Sequence, residues 1–296
     1  MRVGIGLPNS VPGTEARLLL EWARRAEEGS FASLGVVDRM RYDSHEPMAL
    51  LSTVAAITSR IDLVTMVVIA PLRRTPTFAR EAATVQRLSQ GRLTLGLAVG
   101  ARTDDYDALG EEHEGRGRRL EDQLADLRDG FEELERGMGS AIPQKARGMG
   151  SAIPQKATGP DLLVGGGSDI SFVRAARFAD GYVHGGGPPR SFHRAGDRAT
   201  TAWVEAGRPG RPKLWAQAYF ALGDDATIER GRSYMRDYYA FTGPFAAKIT
   251  EGLLTTPQSI VQFVRGYAEA GCDHLVLLPA VAELEQHDRL AAVVSS

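Results

Sequence analysis

The sequence contains a single cysteine, Cys272, in 296 residues. One thiol excludes an internal disulfide and any metal site built from several cysteines. No run of about 18 or more apolar residues occurs, so a membrane-spanning helix is not predicted. The apolar run at residues 1–8 is too short for a signal peptide, and we therefore expect a cytoplasmic protein.

The sequence also lacks a strong excess of charge of either sign. Its 35 basic and 37 acidic residues give a formal net charge of −2. Neither a nucleic acid nor an anionic membrane is therefore expected as a partner. The sequence has no Gly-x-Ser-x-Gly elbow, no His-Glu-x-x-His motif and no P-loop. Serine hydrolysis and metal ligation are consequently not predicted.

What the sequence does contain is an alternation of short apolar runs with segments of helical spacing. The runs that read as strands are residues 3–7, 34–38, 63–69, 94–99, 162–164, 181–184, 214–222 and 274–278. This alternation predicts an α/β fold, a (β/α)8 TIM barrel with loop insertions that forms one domain over residues 1–296. A doubly wound parallel sheet is the alternative, because the pattern does not reveal the order of the strands.

Residues 136–146 and 147–157 are identical copies of the segment RGMGSAIPQKA. We interpret this tandem duplication as a tolerated surface insertion, because lengthening a loop costs little conformational entropy. A lid over the active site is the alternative. A loop that leads from a helix into a strand is, however, expected on the face opposite the active site of a barrel.

Barrel enzymes carry their functional residues on the loops that follow the strands. The candidates for acid–base chemistry or substrate orientation at such positions are Asp38, Arg39, His45 and His184. Histidine is a candidate because it titrates near neutral pH. The structural alternatives are hydrogen-bonded histidines and, for Asp38, a helix cap.

The glycine-rich run at residues 165–168 follows the fifth predicted strand and precedes a helix. Glycine lets backbone N–H groups approach a ligand, and a helix N-terminus favours anionic oxygens. The run is therefore a candidate phosphate site, with a simple tight turn as the alternative.

An aromatic cluster of Tyr234, Tyr238, Tyr239 and Phe241 precedes the last predicted strand. Its spacing is helical, which is more typical of packing than of a substrate cage. We therefore expect these rings to pack within the protein, and a substrate cage is the alternative.

The segment from Arg74 to Gly100 resembles the luciferase-like flavin-dependent oxidoreductase superfamily. The helix, the sequence LSQGR at 88–92 and the strand that ends before Gly100 carry the most specific part of the likeness. Residues 105–120, 163–181 and 256–274 also match. The resemblance implies a (β/α)8 barrel that binds FMN or the deazaflavin coenzyme F420 at its C-terminal mouth.

The resemblance also implies roles for individual residues. Val67 and Val68 match the position at which the family often has a non-prolyl cis peptide bond behind the cofactor ring. The other candidate cofactor-binding residues are Ala70, Gly100, Tyr106, Gly165, Gly166, Gly167 and Ser168. Asp38 matches the aspartate of an Asp-His pair found in many F420-dependent members. Arg39 stands in place of that histidine, so His45 or His184 is the alternative proton donor.

The two cofactors imply different reactions. F420 transfers hydride and resists oxygen, whereas reduced FMN reacts with oxygen in two-component monooxygenases. The preferred interpretation is F420-dependent hydride transfer to or from a small organic substrate, and FMNH2-dependent monooxygenation is the alternative. The alternatives from other classes are a non-catalytic flavin-binding barrel and a hydrolase of phosphorylated substrates. The resemblance further implies a homodimer, with a flavin reductase or an F420-reducing enzyme as a possible partner.

Overall fold

The computed structural model describes residues 1–135 and 159–295, and the duplicated segment lies outside the described residues. Eight parallel strands close into a barrel in sequence order. They are β1 (Arg2–Gly6), β2 (Ser33–Val36), β3 (Asp62–Ile69), β4 (Leu93–Ala98), β5 (Asp161–Gly165), β6 (Gly181–His184), β7 (Lys213–Phe220) and β8 (His274–Pro279). The pairing of β1 with both β2 and β8 confirms the TIM barrel and excludes an open doubly wound sheet.

Helices cover the outside of the barrel in the described parts of the chain. They are α1 (Ala16–Glu28), α2 (Pro47–Ile57), α3 (Thr75–Leu88), α4 (Thr103–Asp107), α5 (Arg116–Glu135), α6 (Asp169–Phe178), α7 (Pro189–Glu205), α8 (Asp225–Tyr238), α9 (Phe245–Glu251), α10 (Pro257–Glu269) and α11 (Leu284–Val294). Proline occupies the first turn of α2, α3, α7 and α10, where its missing N–H would have no partner in any case. No described helix is long and apolar enough to cross a membrane.

Successive side chains along each strand point alternately into two apolar layers, one on each face of the sheet. On β7, Leu214 and Ala216 pack in the layer between the strands and the helices. Trp215 and Tyr219 pack in the layer inside the barrel. Because both faces of the strands are buried, the strands read as apolar runs in the sequence.

The N-terminal end of the barrel is filled by side chains. His274 stacks on Trp215 with ring centroids 4.0 Å apart, and its Nε2 lies 2.8 Å from the Ser33 hydroxyl. Burial lowers the pKa of His274 to about 3, so the imidazole is neutral at physiological pH. The stacked rings therefore belong to the buried core, and a surface cavity lined by the first residues of several strands lies beside them.

The connection from β7 to β8 contains an insertion at the opposite end of the barrel. The chain leaves β7 at Phe220, forms α8, a 3₁₀ turn (Ala240–Thr242) and α9, and returns beside Phe220 at Leu254. Since both ends of the insertion lie at the C-terminal end of β7, the inserted helices lie at the mouth of the barrel.

Candidate active site

Asp38 lies at the mouth in a buried ion pair. Its side chain is 1 % exposed and accepts hydrogen bonds from Arg73 Nη1 at 2.6 Å and from the Ile69 backbone N–H at 2.8 Å. Burial raises the pKa of the Asp38 carboxyl, and the charge of Arg73 opposes that rise. Asp38 thus joins the loops after β2 and β3, and it does not act as a helix cap.

Arg39 is held by a carboxylate that sequence reasoning missed. Its Nε donates to both carboxylate oxygens of Asp105, at 2.9 and 3.1 Å. One oxygen of Asp105 also accepts the backbone N–H groups of Met40 and Arg41. The guanidinium lies 4.9 Å from the ring centroid of Tyr42. Arg39 is therefore fixed at the mouth between an acidic partner and an aromatic face.

The two candidate histidines occupy separate places. His45 Nε2 lies 2.9 Å from the Thr14 carbonyl oxygen, which ties together two loops. The His184 ring lies between the hydroxyls of Tyr182 and Ser191, each 3.3 Å away. Burial lowers the pKa of His184, which favours the neutral imidazole. His45 thus has a structural partner, whereas His184 lies at the end of β6 beside the glycine-rich loops.

Asn9, three residues after the end of β1, is a second residue that sequence reasoning missed. Its side chain is fully buried and exchanges two hydrogen bonds with the backbone of Val37, at 2.8 and 3.1 Å. The next residue, Ser10, lies 2.7 Å from the Tyr234 hydroxyl. The sequence did contain a signal for this site, because the polar pair Asn9-Ser10 follows an apolar strand. The same kind of position selected Asp38 as a candidate.

Small apolar residues form a floor at the mouth. A Cβ added to Gly165 would meet Val183, Ala98 and Val67 at 3.4–3.5 Å, which is ordinary contact. Val67 and Ala98 are themselves partly exposed. We call Val67, Ala98, Gly165 and Val183 the floor. These four small residues lie on neighbouring strands near the C-terminal end of the barrel.

The non-prolyl cis peptide bond joins Met66 to Val67, one bond before the Val67–Val68 pair named from the sequence. Val67 packs against the inner layer of the barrel. Val68 is fully buried in the outer layer, against the helices. Of the two valines, only Val67 therefore belongs to the floor.

The glycine-rich run connects β5 to the N-terminus of α6. Gly166 has a φ of +142°, and an added Cβ would collide with Ser171. Around Gly167 there is open space, and the exposed Ser168 hydroxyl lies 3.0 Å from that of Ser171. The arrangement suits an anionic group at the exposed N-terminus of α6. Asp169 in the first turn opposes an anion, but it is paired with Arg198.

The remaining candidate cofactor-binding residues lie in the segments that follow β3 and β4. Gly100 has a φ of +71°, and an added Cβ would come within 2.7 Å of Ile69. Ala70 is fully buried, and its carbonyl accepts a hydrogen bond from Gln123 at 3.0 Å. Tyr106 is also fully buried and donates its hydroxyl to the Val99 carbonyl at 2.5 Å. The structure places Ala70 and Tyr106 beneath the mouth as supports of its loops.

Aromatic residues cover the mouth, and we call them the aromatic roof. Its members are Tyr42, Tyr219, Tyr234, Tyr238, Tyr239 and Phe241, whose successive rings lie 5.1–6.4 Å apart. The Arg102 guanidinium lies between Tyr238 and Phe241, at 4.4 and 4.1 Å from their ring centroids. The structure confirms the expected packing for Tyr234 and Tyr238, which are buried, whereas Phe241 is 45% exposed; it places all these rings at the mouth.

Comparison with known proteins agrees with this architecture. The family model described as luciferase-like monooxygenase matches residues 1–275. The chain belongs to this family. Among its relatives, an uncharacterized protein of Mycobacterium tuberculosis is 26% identical over 223 residues, which cover 66% of this chain and 74% of the relative.

Two solved structures share the fold of this luciferase-like protein. The monooxygenase RslO1 from Streptomyces bottropensis has a TM-score of 0.78 at 20% identity, with 100% of this chain and 98% of that chain covered. An F420-dependent secondary alcohol dehydrogenase, solved with an F420–acetone adduct, has a TM-score of 0.76 at 16% identity, with 99% and 98% covered. At sequence identities this low, the similarity to these two structures is evidence for a shared fold.

Proposed function

We propose that this protein is an oxidoreductase that binds F420 or FMN at the barrel mouth. The reaction that we prefer is F420-dependent hydride transfer to or from a small organic substrate. The floor carries this proposal, because it is an apolar surface at the end of the barrel where enzymes of this fold place their chemistry. Gly165 belongs to both the floor and the glycine-rich run, so a ring and a phosphate of one cofactor would meet adjacent parts of the chain.

Val67, Ala98 and Gly165 would hold the ring, and Gly167 and Ser168 at the start of α6 would hold the phosphate. When bound, the deazaflavin supplies a hydride donor or acceptor at its ring.

The protein's own residues would bind the substrate and exclude water. The aromatic roof offers ring faces, and the guanidinium groups of Arg39 and Arg102 lie against it. Burial raises the pKa of Tyr239 to about 12 and also raises that of Tyr238. Their hydroxyls therefore stay protonated at neutral pH and can donate a hydrogen bond to a substrate oxygen.

A binding titration tests the proposal. The purified protein is titrated separately with F420 and with FMN, and binding is followed by the quenching of cofactor fluorescence. We expect saturable binding of F420, and failure to bind either cofactor would refute the proposal. Saturable binding of FMN alone, with substrate-dependent oxygen consumption when a flavin reductase supplies FMNH2, would favour the monooxygenase alternative.

Gly165→Leu tests the location of the ring. A Cβ at this position would make only ordinary contacts, so the barrel should fold, but the larger side chain would project over the floor. We expect at least about a tenfold loss of cofactor affinity, because an overpacked site must distort or exclude its ligand. The control is Ala16→Leu on the exposed start of α1, which should bind like the parent protein. Equal affinity for Gly165→Leu would remove the floor from the binding site.

A further inference from the structure

Gln217 is the polar residue on the inner face of β7, between Trp215 and Tyr219. Its Nε2 donates to the carbonyl oxygen of Gly185, in the loop after β6, at 3.3 Å. Its Oε1 is buried and has no hydrogen-bond partner among the described residues. The side chain therefore has one end anchored and one acceptor unsatisfied.

The orientation of this carboxamide follows from its neighbour. Exchanging the nitrogen and oxygen would bring Oε1 against the Gly185 carbonyl, where two acceptors would repel. The unpaired Oε1 is therefore the arrangement that the surroundings favour. A buried acceptor without a partner destabilises a protein. Methionine has a similar length and would fill the space without this penalty, so stability alone does not explain a glutamine here.

The position of Gln217 connects it to the floor. Its partner Gly185 follows β6 by one residue, and Val183 of β6 is the floor residue that lies 3.4 Å from the Cβ position of Gly165. Gln217 and the floor thus lie on neighbouring strands at the same end of the barrel. A ring resting on the floor would bring one of its edges towards β7.

We propose that Gln217 binds the imide edge of the cofactor ring. This inference rests on the proposed function. The edge that FMN and F420 share presents C=O, N–H and C=O in alternation, and a carboxamide presents the complementary N–H and C=O. The second N–H of Nε2 would donate to a ring carbonyl, and the ring N3–H would give Oε1 its missing partner. Because Oε1 is covered by its neighbours, those neighbours must shift to uncover it when the ring binds, while Nε2 keeps its hydrogen bond to Gly185.

The test changes both partners of the hydrogen bond. FMN, F420 and their N3-methylated forms are titrated against the parent protein, Gln217→Met and the control Gln258→Met on the exposed start of α10. The parent and the control should bind the N3-methylated form about tenfold more weakly than the natural one, which corresponds to one lost hydrogen bond. Gln217→Met loses both hydrogen bonds to the ring, so it should bind the natural cofactor more than about tenfold more weakly and should not distinguish the two forms.

Thermal unfolding without cofactor gives the second readout. Removing an unsatisfied acceptor should raise the Tm of Gln217→Met by about 2 °C relative to the parent. A lower Tm, with discrimination against the N3-methylated form retained, would show a structural role and overturn the inference. Gln217→Leu repeats both measurements if the methionine variant does not fold. A parent protein that binds neither cofactor would refute the proposed function, whereas normal binding by Gln217→Met would refute only the role of Gln217.

Discussion

The buried pair of Arg39 and Asp105 gives the sharpest prediction for stability. The Asp105 carboxylate accepts from Arg39 Nε and from two backbone N–H groups, and both side chains are at most 4 % exposed. Asp105→Ala leaves Arg39 Nε and two backbone amides without their acceptor, and the guanidinium keeps only its long contact of 3.4 Å with the more exposed Asp104 carboxylate and a hydrogen bond of 3.4 Å to the Arg41 carbonyl. Removing one partner of a buried ion pair costs about 3–5 kcal/mol, because the remaining charge stays desolvated.

The assay is urea unfolding of four proteins: the parent, Asp105→Ala, Arg39→Met and the double variant. We expect Asp105→Ala to lower the free energy of unfolding by about 3–5 kcal/mol and Arg39→Met by about 3 kcal/mol. The double variant should lose less than the sum, by at least about 1.5 kcal/mol, because the two single variants remove the same interaction.

An exposed pair on α10 serves as the control. Arg265 and Glu269 lie 2.8 Å apart, but their side chains are 80 % and 65 % exposed. Glu269→Ala should therefore cost less than about 0.5 kcal/mol. A loss of less than about 1 kcal/mol for Asp105→Ala, or full additivity in the double variant, would contradict the argument from burial.

Two further predictions concern buried polar groups away from the floor. Tyr106→Phe removes the donor to the Val99 carbonyl and should lower the free energy of unfolding by about 1–2 kcal/mol in urea; an unchanged midpoint would show that water replaces the hydroxyl. The pKa of His274 is about 3 in the folded protein against about 6.5 in an unfolded chain, so its contribution to stability is complete above pH 6.5 and is lost as the pH falls towards 3. His274→Gln should therefore show a smaller drop in Tm between pH 7 and pH 4.5 than the parent protein, and an equal drop would contradict this assignment.

The strands were predictable because parallel strands buried on both faces are apolar throughout. Each predicted strand overlaps an observed one, and residues 181–184 coincide with β6. The glycine-rich run was recognisable for a local reason as well, since glycine at 166 adopts a φ of +142° that other residues rarely adopt. The candidate Asp38 was found because it stands at the end of a predicted strand. Arg73 was not recognised as the partner of Asp38, because the two residues are 35 positions apart in the chain.

The sequence by itself indicated the strands and helices, the family and the end of the strands at which to look, because alternation, glycine positions and a contiguous motif are local properties of a chain. It left the doubly wound sheet open, because the order of the strands is not a local property. Only the tertiary structure decided which side chains share that end. Asp105 neutralises Arg39, Val67 faces inward while Val68 faces outward, and Gln217 is left with an unsatisfied oxygen. These relations depend on closure of the sheet, which brings together residues that are far apart along the chain.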